Sequence, residues 1–343
     1  MSLLPWHHST WHDLVRRQHH NGLPHALLFN GRQGIGKHAF ALHVAQWRLC
    51  IQPHDDGACG HCHSCLLWQA GTHPDVLICQ PEEGSRQIRI DAIRHINQFL
   101  SQTPQISACQ VVVIRPLEVM NLNAANALLK TLEEPPGESL LLLETERIGS
   151  VLPTLRSRCQ RLVLAPPSHD DAQQWLVAQG IEGEHATIAL RFNPQAPLQA
   201  LQWCQTERVK QVQQWQQQLQ QWSERNIALQ AISTDWGKLD FTDVIAWLHQ
   251  AVNDWLKQQM GIDPKALMFA ELFQASAMLT DATVDKTKLL TLQKQCQALH
   301  AQLLSGHGNV NKALTIESLL LDWRHVQSSA LAAKRQHHHE EPA

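Results

Sequence analysis

The sequence predicts an α/β domain on a doubly wound parallel sheet, followed by a small helical domain and a larger all-helical one. Three observations predict it. A short apolar run, Ala26 to Phe29, leads into a glycine loop with a lysine, Gly31-x4-Gly36-Lys37, and then into a helix-compatible run from His38 to Leu49. Apolar strand-like runs then alternate with amphipathic stretches up to about residue 165, the layout of parallel strands joined by crossover helices. From Asp170 onward no run reads as a strand, and apolar residues recur every three or four positions.

Strand, glycine loop, lysine and helix in that order form a phosphate-binding layout. The glycines let backbone N–H groups turn inward, the lysine adds a point charge and the helix start adds its dipole. Gly31, Gly34, Gly36 and Lys37 are therefore candidate phosphate-binding residues. One usual part is missing. The residue after the lysine is His38, where Ser or Thr would supply the hydroxyl that ligates Mg2+.

Taken in order, residues 11–20 read as a helix stopped by Asn21-Gly22. After the loop helix comes a cysteine cluster, Cys50, Cys59, Cys62 and Cys65, spaced C-x8-C-x2-C-x2-C. Four thiolates in close pairs suit a tetrahedral structural Zn2+ site without an open position, and Gly57 and Gly60 permit the tight turns. An iron–sulfur cluster, a redox Cys-x-x-Cys, or ligation by His61 or His63 are the competing readings. Asp75 to Cys79 reads as a second strand. Ile88, Ile90, Ile93, Ile96 and Leu100 mark a strand end and an amphipathic helix with Asp91 as its N-cap. Val111 to Ile114 is a fully apolar third strand, and Ala124 to Leu132 a helix closed by Pro135-Pro136. Leu140 to Leu143 and Arg161 to Leu164 complete the sheet.

Ala165-Pro166-Pro167-Ser168 reads as a linker, giving domains at 1–165, 166–207 and 208–333, with a flexible tail at 334–343 that includes His337 to His339. Helices are expected at Asp170 to Gly180 and Glu184 to Phe192. Beyond them lie three stripes: Val209, Val212, Trp215, Leu219, Trp222; Val244, Leu248, Val252, Trp255; and Leu289, Leu292, Cys296, Leu299, Leu303. Leu314 to Trp323 reads as a short last helix. Such stripes are core faces of a bundle.

A net charge of −3 does not suggest a free-standing nucleic-acid binder. Nine cysteines in a long chain whose start carries no signal pattern point to a reducing cytosol, and the short apolar runs exclude a membrane span. The absence of Tyr and the twelve Trp carry no functional signal.

The stretch Asn123-Ala-Ala-Asn126-Ala-Leu-Leu-Lys130-Thr-Leu-Glu133-Glu134-Pro135-Pro136 and the motif Thr154-Leu-Arg156-Ser157-Arg158-Cys159 resemble the bacterial clamp-loader family of AAA+ proteins. The cysteine knuckle after the loop helix is shared with that family, and Asn309 to Trp323 is similar to the family's last helix. The resemblance implies a P-loop AAA+ domain, a helical lid and an all-α collar that joins other subunits in a ring, with the sliding clamp and primed DNA met through the complex.

It also allows the ATPase parts to be checked. Where an active member carries Asp-Glu after the third strand, this chain has Arg115-Pro116. The lid motif is reduced to Gln195-Ala196-Pro197-Leu198, with Leu198 in place of the sensor arginine. Thr145 matches the polar sensor position, and Glu118 is a possible substitute carboxylate. The Ser157-Arg158-Cys159 motif is whole, which implies that Arg158 reaches a neighbouring subunit's ATP; Arg156 is the alternative finger. The resemblance thus implies a ring member with little or no ATP binding of its own. An ATP-hydrolysing motor subunit and a zinc-knuckle DNA binder are the rivals.

Overall fold

The computed structural model describes residues 3–82, 84, 85, 87–206, 208–263, 267, 285–304 and 310–337, with backbone only at 304 and 327–337. The chain divides into two compact units, Met1–Gln202 and Trp203–Ala343.

The first unit opens with a 3-10 turn, Pro5–His7, and helix α1, His8–Asn21, which stops where Gly22 takes a φ of +74°. There follow β1 (Ala26–Asn30), α2 (Lys37–Leu49), α3 (His63–Gln69), β2 (Val76–Cys79), α4 (Ile90–Leu100) and β3 (Gln110–Ile114). Then come α5 (Leu122–Glu133), β4 (Ser139–Thr145), α6 (Pro153–Arg156), β5 (Gln160–Val163), α7 (His169–Ala178), α8 (Gly183–Phe192) and α9 (Pro197–Gln205). The five strands form one parallel sheet in the order β2-β3-β4-β1-β5, with Leu27 paired to Leu142 and Val112 to Leu141.

Alternation along each strand sends neighbours to opposite faces, so the continuous apolar runs feed two cores. Leu27, Phe29, Val111, Val113 and Leu142 pack with Trp11, Phe40 and Val44 of α1 and α2. Leu28, Val112, Ile114, Leu141 and Leu143 pack with Ile93, Ile96, Leu128 and Leu132 of α4 and α5. The edge strands are half covered, with Ile78 and Val163 exposed.

The structure differs from the sequence expectations at several ends. Ile88 forms only an isolated bridge to Met120, and the helix behind it starts one residue after Arg89. Asp91 is therefore not the N-cap; it lies in the first turn, where its charge suits the helix dipole, and it pairs with Arg94. Helix α5 starts earlier than its apolar run because the Asn121 side chain accepts from Ala124 N–H at 2.8 Å. Helix α9 was not expected. Its signal was Pro197 at a first helical position, which reads equally as a linker.

The second unit contains α10 (Arg208–Ser223), α11 (Leu229–Gly237), α12 (Phe241–Gln259), α13 (Lys286–Leu304) and α14 (Lys312–His337). All nine residues of the first two stripes are buried; in the third, Leu289, Leu292 and Cys296 are buried while Leu299 and Leu303 are half-buried. Tryptophan fills this core: the rings of Trp215, Trp236 and Trp247 meet at centroid distances of 5.4–6.4 Å, and Trp255 faces Trp323 at 4.8 Å. The last helix is not short. Residues 324–337 hold Ala, Gln, Lys and Arg without Gly or Pro, and helix propagates through good formers even where little is apolar. Of the expected tail, the backbone is helical to His337, and His338, His339 and the residues after them lie outside the described residues, as does Asn309. Among the described residues no helix is long and apolar enough to cross a membrane.

Candidate functional site

A glycine loop joins β1 to α2. Asn30 ends β1, Gly31 N–H donates to Thr145 O at 3.2 Å, and Gly36 starts α2 with a φ of +90°. Gly34 also takes a positive φ, +80°, and a Cβ there would stand 2.8 Å from Ala196 Cβ. The loop therefore needs glycine for backbone shape and for a close neighbour. Leu198 N–H donates to Gly34 O at 3.0 Å, so the start of α9 lies on the loop. Leu198, standing where a sensor arginine is expected, lines a cavity of about 320 Å³ beside Lys37, His38 and Thr145.

The loop's lysine and the histidine after it are already engaged. Lys37 is 7% exposed; its Nζ donates to Arg32 O at 2.7 Å and lies 3.6 Å from Glu146 Oε1. Burial pulls its pKa down, against the upward pull of Glu146, Glu144 and Glu118. His38 Nδ1 is hydrogen-bonded to the buried Glu144 at 2.8 Å. Glu118 accepts from Glu146 N–H at 3.0 Å through Oε1, and its Oε2 is buried without a hydrogen-bond partner. Three carboxylates thus surround the loop lysine, and a triphosphate arriving there would meet their repulsion. Arg115 and Pro116 line the same cavity. Thr145 is fully buried, its Oγ1 accepting from Arg147 N–H at 3.2 Å. Glu144 and Glu146, the neighbours of Thr145, went unread in the sequence. Their direction depends on how β4 meets β1.

The chain's start fastens the other side of the loop. Trp6 Nε1 and His7 Nε2 both donate to Ile35 O at 2.8 Å, and Trp6 stands edge-on to Trp175 of α7 at 5.3 Å. Burial pushes the His7 pKa down to about 4.

The structure brings all four expected cysteines together. The Sγ atoms of Cys50, Cys59, Cys62 and Cys65 lie within 4.8 Å of one another. Three of the pairs measure 3.6, 3.8 and 3.9 Å. A metal–sulfur bond of about 2.3 Å gives a tetrahedron with edges of about 3.8 Å. Backbone N–H groups of Cys59, Cys62 and Cys65 point at Sγ of Cys50, Cys59 and Cys62, a pattern that stabilises thiolates. The cluster can hold a structural metal ion such as zinc. His61 is turned to Cys59 O and His63 is outside the group, as is Cys79, buried in β2.

Behind the knuckle lies a Ser64–His73–Asp75 cluster that resembles a hydrolytic triad in composition only. His73 Nδ1 accepts from Asp75 N–H, while Ser64 and Ser107 hydroxyls both donate to Leu49 O and accept from Nε2–H. The Asp75 carboxylate accepts from Gln105, Ile106 and Ser107 N–H at 2.6–2.8 Å rather than from the imidazole. The serine proton is not aimed at the histidine, so the cluster ties the knuckle to the sheet and activates no nucleophile.

The last expected site lies after α6. Pro153 starts this one-turn helix and Leu155 anchors it in the core, which leaves Arg156 and Ser157 exposed. Arg158 Nε donates to Glu133 Oε1 at 2.7 Å, Nη2 pairs with the same oxygen, and Nη1 donates to Thr154 O at 2.9 Å. Ser157 Oγ donates to Thr154 O as well. Cys159 is buried, and burial pushes its thiol up to about 12, so it serves the core.

Comparison with known proteins agrees over the length of the chain. A family model described as DNA polymerase III, delta subunit matches residues 6–168, and one described as its C-terminal part matches 206–325. The DNA polymerase III subunit delta' of Pseudomonas aeruginosa is 34% identical over 94% of this chain and 97% of its own. That of Escherichia coli K12 is 30% identical over 95% and 96%. Among solved structures, a gamma subunit-related protein of Thermotoga maritima aligns with 93% of this chain and 99% of its own at 19% identity and a TM-score of 0.38. With both family models and near-full-length relatives agreeing, the chain belongs to the family of DNA polymerase III delta' subunits.

Proposed function

We propose that this chain is a non-hydrolysing member of the clamp-loader ring, which loads the sliding clamp on primed DNA and in which this subunit supplies Arg158 to a neighbour's ATP. One contrast carries the reading. The loop's own cation and helix-start residue are bound to Glu146 and Glu144, while Arg158 stands on the surface, a third exposed, with donors to spare. A planar, permanently charged guanidinium can bridge phosphoryl oxygens, and its contact strengthens as negative charge develops there. Arg158 then acts on the neighbour's transition state more than on its bound ATP.

In this reading Cys50, Cys59, Cys62 and Cys65 hold a structural Zn2+. The partners are the delta and gamma/tau subunits, with the sliding clamp and primer–template DNA engaged through the complex in the cytoplasm. The helical second unit carries the ring contact; Leu290, Leu314 and Leu321 are exposed there on α13 and α14.

The test is the clamp- and primed-DNA-stimulated ATPase of a reconstituted loader. Arg158→Ala should leave complex formation intact and lower turnover and clamp loading by at least about tenfold, which requires only about 1.4 kcal/mol of lost transition-state stabilisation. Arg158→Lys should rescue poorly. Wild-type rates in Arg158→Ala, or a collapse only in Arg156→Ala, refute the assignment. Sustained ATP turnover by the isolated chain that vanishes in Lys37→Ala favours the motor reading instead.

A further inference from the structure

A finger acts in trans only if its guanidinium is held in place before the neighbour arrives. An arginine two residues beyond a one-turn helix has four rotatable side-chain bonds, and nothing in the Ser157-Arg158-Cys159 motif fixes them. In this chain they are fixed from another element. Glu133, the last residue of α5, accepts from Nε–H of Arg158 and is ion-paired with its Nη2 through the same carboxylate oxygen. Thr154 O, one turn back in α6, takes an N–H of Nη1. A guanidinium has five N–H donors. Nε–H and one N–H of Nη1 are hydrogen-bonded and Nη2 stands in the ion pair, which leaves donors on Nη1 and Nη2, the two nitrogens at the tip.

We infer that Glu133 is a positioning residue for the finger: it holds the inner edge of Arg158 and leaves two tip donors for a neighbour's phosphoryl oxygens. The inference rests on the proposed trans role of Arg158. The two side chains are 33% and 48% exposed, so the pair contributes little to stability and its value lies in orientation. Glu133 is itself held in place by the chain around it. The helix ends at Glu133, and the Pro135-Pro136 pair fixes the chain's exit, so the carboxylate projects from a rigid helix end. Arg158 comes three residues after Leu155, which is buried in the same core as Leu128 and Leu132 of α5. One apolar cluster thus sets the distance between carboxylate and guanidinium, and ordering is complete before any phosphate is met.

The experiment is the same reconstituted loader, with kcat and KM for ATP measured under saturating clamp and primed DNA. Glu133→Ala should lower kcat by at least about tenfold with KM unchanged, since loss of placement near a reacting group costs up to about a hundredfold. Glu133→Gln keeps an acceptor oxygen for Nε–H and should recover most of that loss. The decisive arm is the double variant. If Glu133 acts only through Arg158, Glu133→Ala combined with Arg158→Ala should be no slower than Arg158→Ala alone. A multiplicative loss in the double variant, or a Glu133→Ala loader with wild-type kcat while Arg158→Ala is impaired, overturns the inference and leaves the trans role standing. An Arg158→Ala loader with wild-type kcat overturns the trans role itself, and the inference with it. Zinc content and melting temperature of the free chain, both expected unchanged in Glu133→Ala, exclude a folding defect as the cause.

Discussion

Removing the metal from the knuckle should open residues 51–64 and leave the sheet folded. Between Cys50 and Cys65 only Gly57 and Ser64 are buried, so the segment has no apolar core of its own. Ordering backbone costs about 1–2 kcal/mol per residue. The anchors that survive without metal are few, among them Trp47 Nε1 to His54 O at 2.9 Å, Trp11 Nε1 to Asp55 O at 2.8 Å, Gln69 Nε2 to Gly60 O at 2.9 Å, the Ser64 bond to Leu49 O and an exposed contact of His19 Nε2 with Asp55 Oδ1 at 2.8 Å. At about 1 kcal/mol each they fall short of the ordering cost, whereas a structural zinc contributes about 10–16 kcal/mol. The two indoles make the assay selective. Trp11 and Trp47 are buried against each other at 5.0 Å and face the knuckle with their N–H groups. On chelation, the indole N–H resonances of Trp11 and Trp47 should move while those of Trp215 and Trp236 in the second unit stay. Metal release should be stoichiometric, and Cys62→Ala with Cys65→Ala should abolish it. Complete metal removal without movement of either indole, or cooperative loss of all tryptophan resonances, would refute the reasoning. Iron in place of zinc would refute the identity of the ion.

Other expectations rest on single residues. His7 is neutral in the fold with a pKa of about 4, against 6.5 when free, so the unfolded chain binds more protons between those values. Its stabilisation is full above pH 6.5, is lost as pH falls towards 4, and amounts to about 3 kcal/mol; hydrogen exchange around Ile35 should report it, and His7→Phe should flatten the profile. Lys37→Ala should leave the loader's ATPase and clamp loading at the wild-type level, because that ammonium is committed to Arg32 O and Glu146; lost turnover would mean that this loop serves a nucleotide. Trp236→Ala removes a fully buried ring and its 2.6 Å bond to Gln218, and should cost about 3–5 kcal/mol in a denaturant titration of the second unit.

Much of the molecule was determined by sequence because its signals are local. Ala26 to Phe29, Val111 to Ile114 and Leu140 to Leu143 are apolar on both faces, and only a parallel sheet covered by helices buries such runs. The cysteine spacing fixed the knuckle, since four thiols within sixteen positions with glycines between them converge with little help from the rest of the fold. Helix ends were less legible. Asp91 and Asn121 are both good caps by composition, yet only Asn121 caps its helix, because α4 already starts at Ile90 and leaves Asp91 inside the first turn.

Tertiary structure alone decided what the site residues touch. Glu144 and Glu146 are two residues among many acids in the sequence; β4 places them at the mouth of the glycine loop, where they take up His38 and Lys37. Glu133 and Arg158 stand 25 positions apart, and their meeting required α5 and α6 to share a core. Spacing along a chain specifies faces and turns, which are short-range. The distance between charges on different elements is set by packing, and charge pairing falls off too steeply with distance to be read before the packing is known.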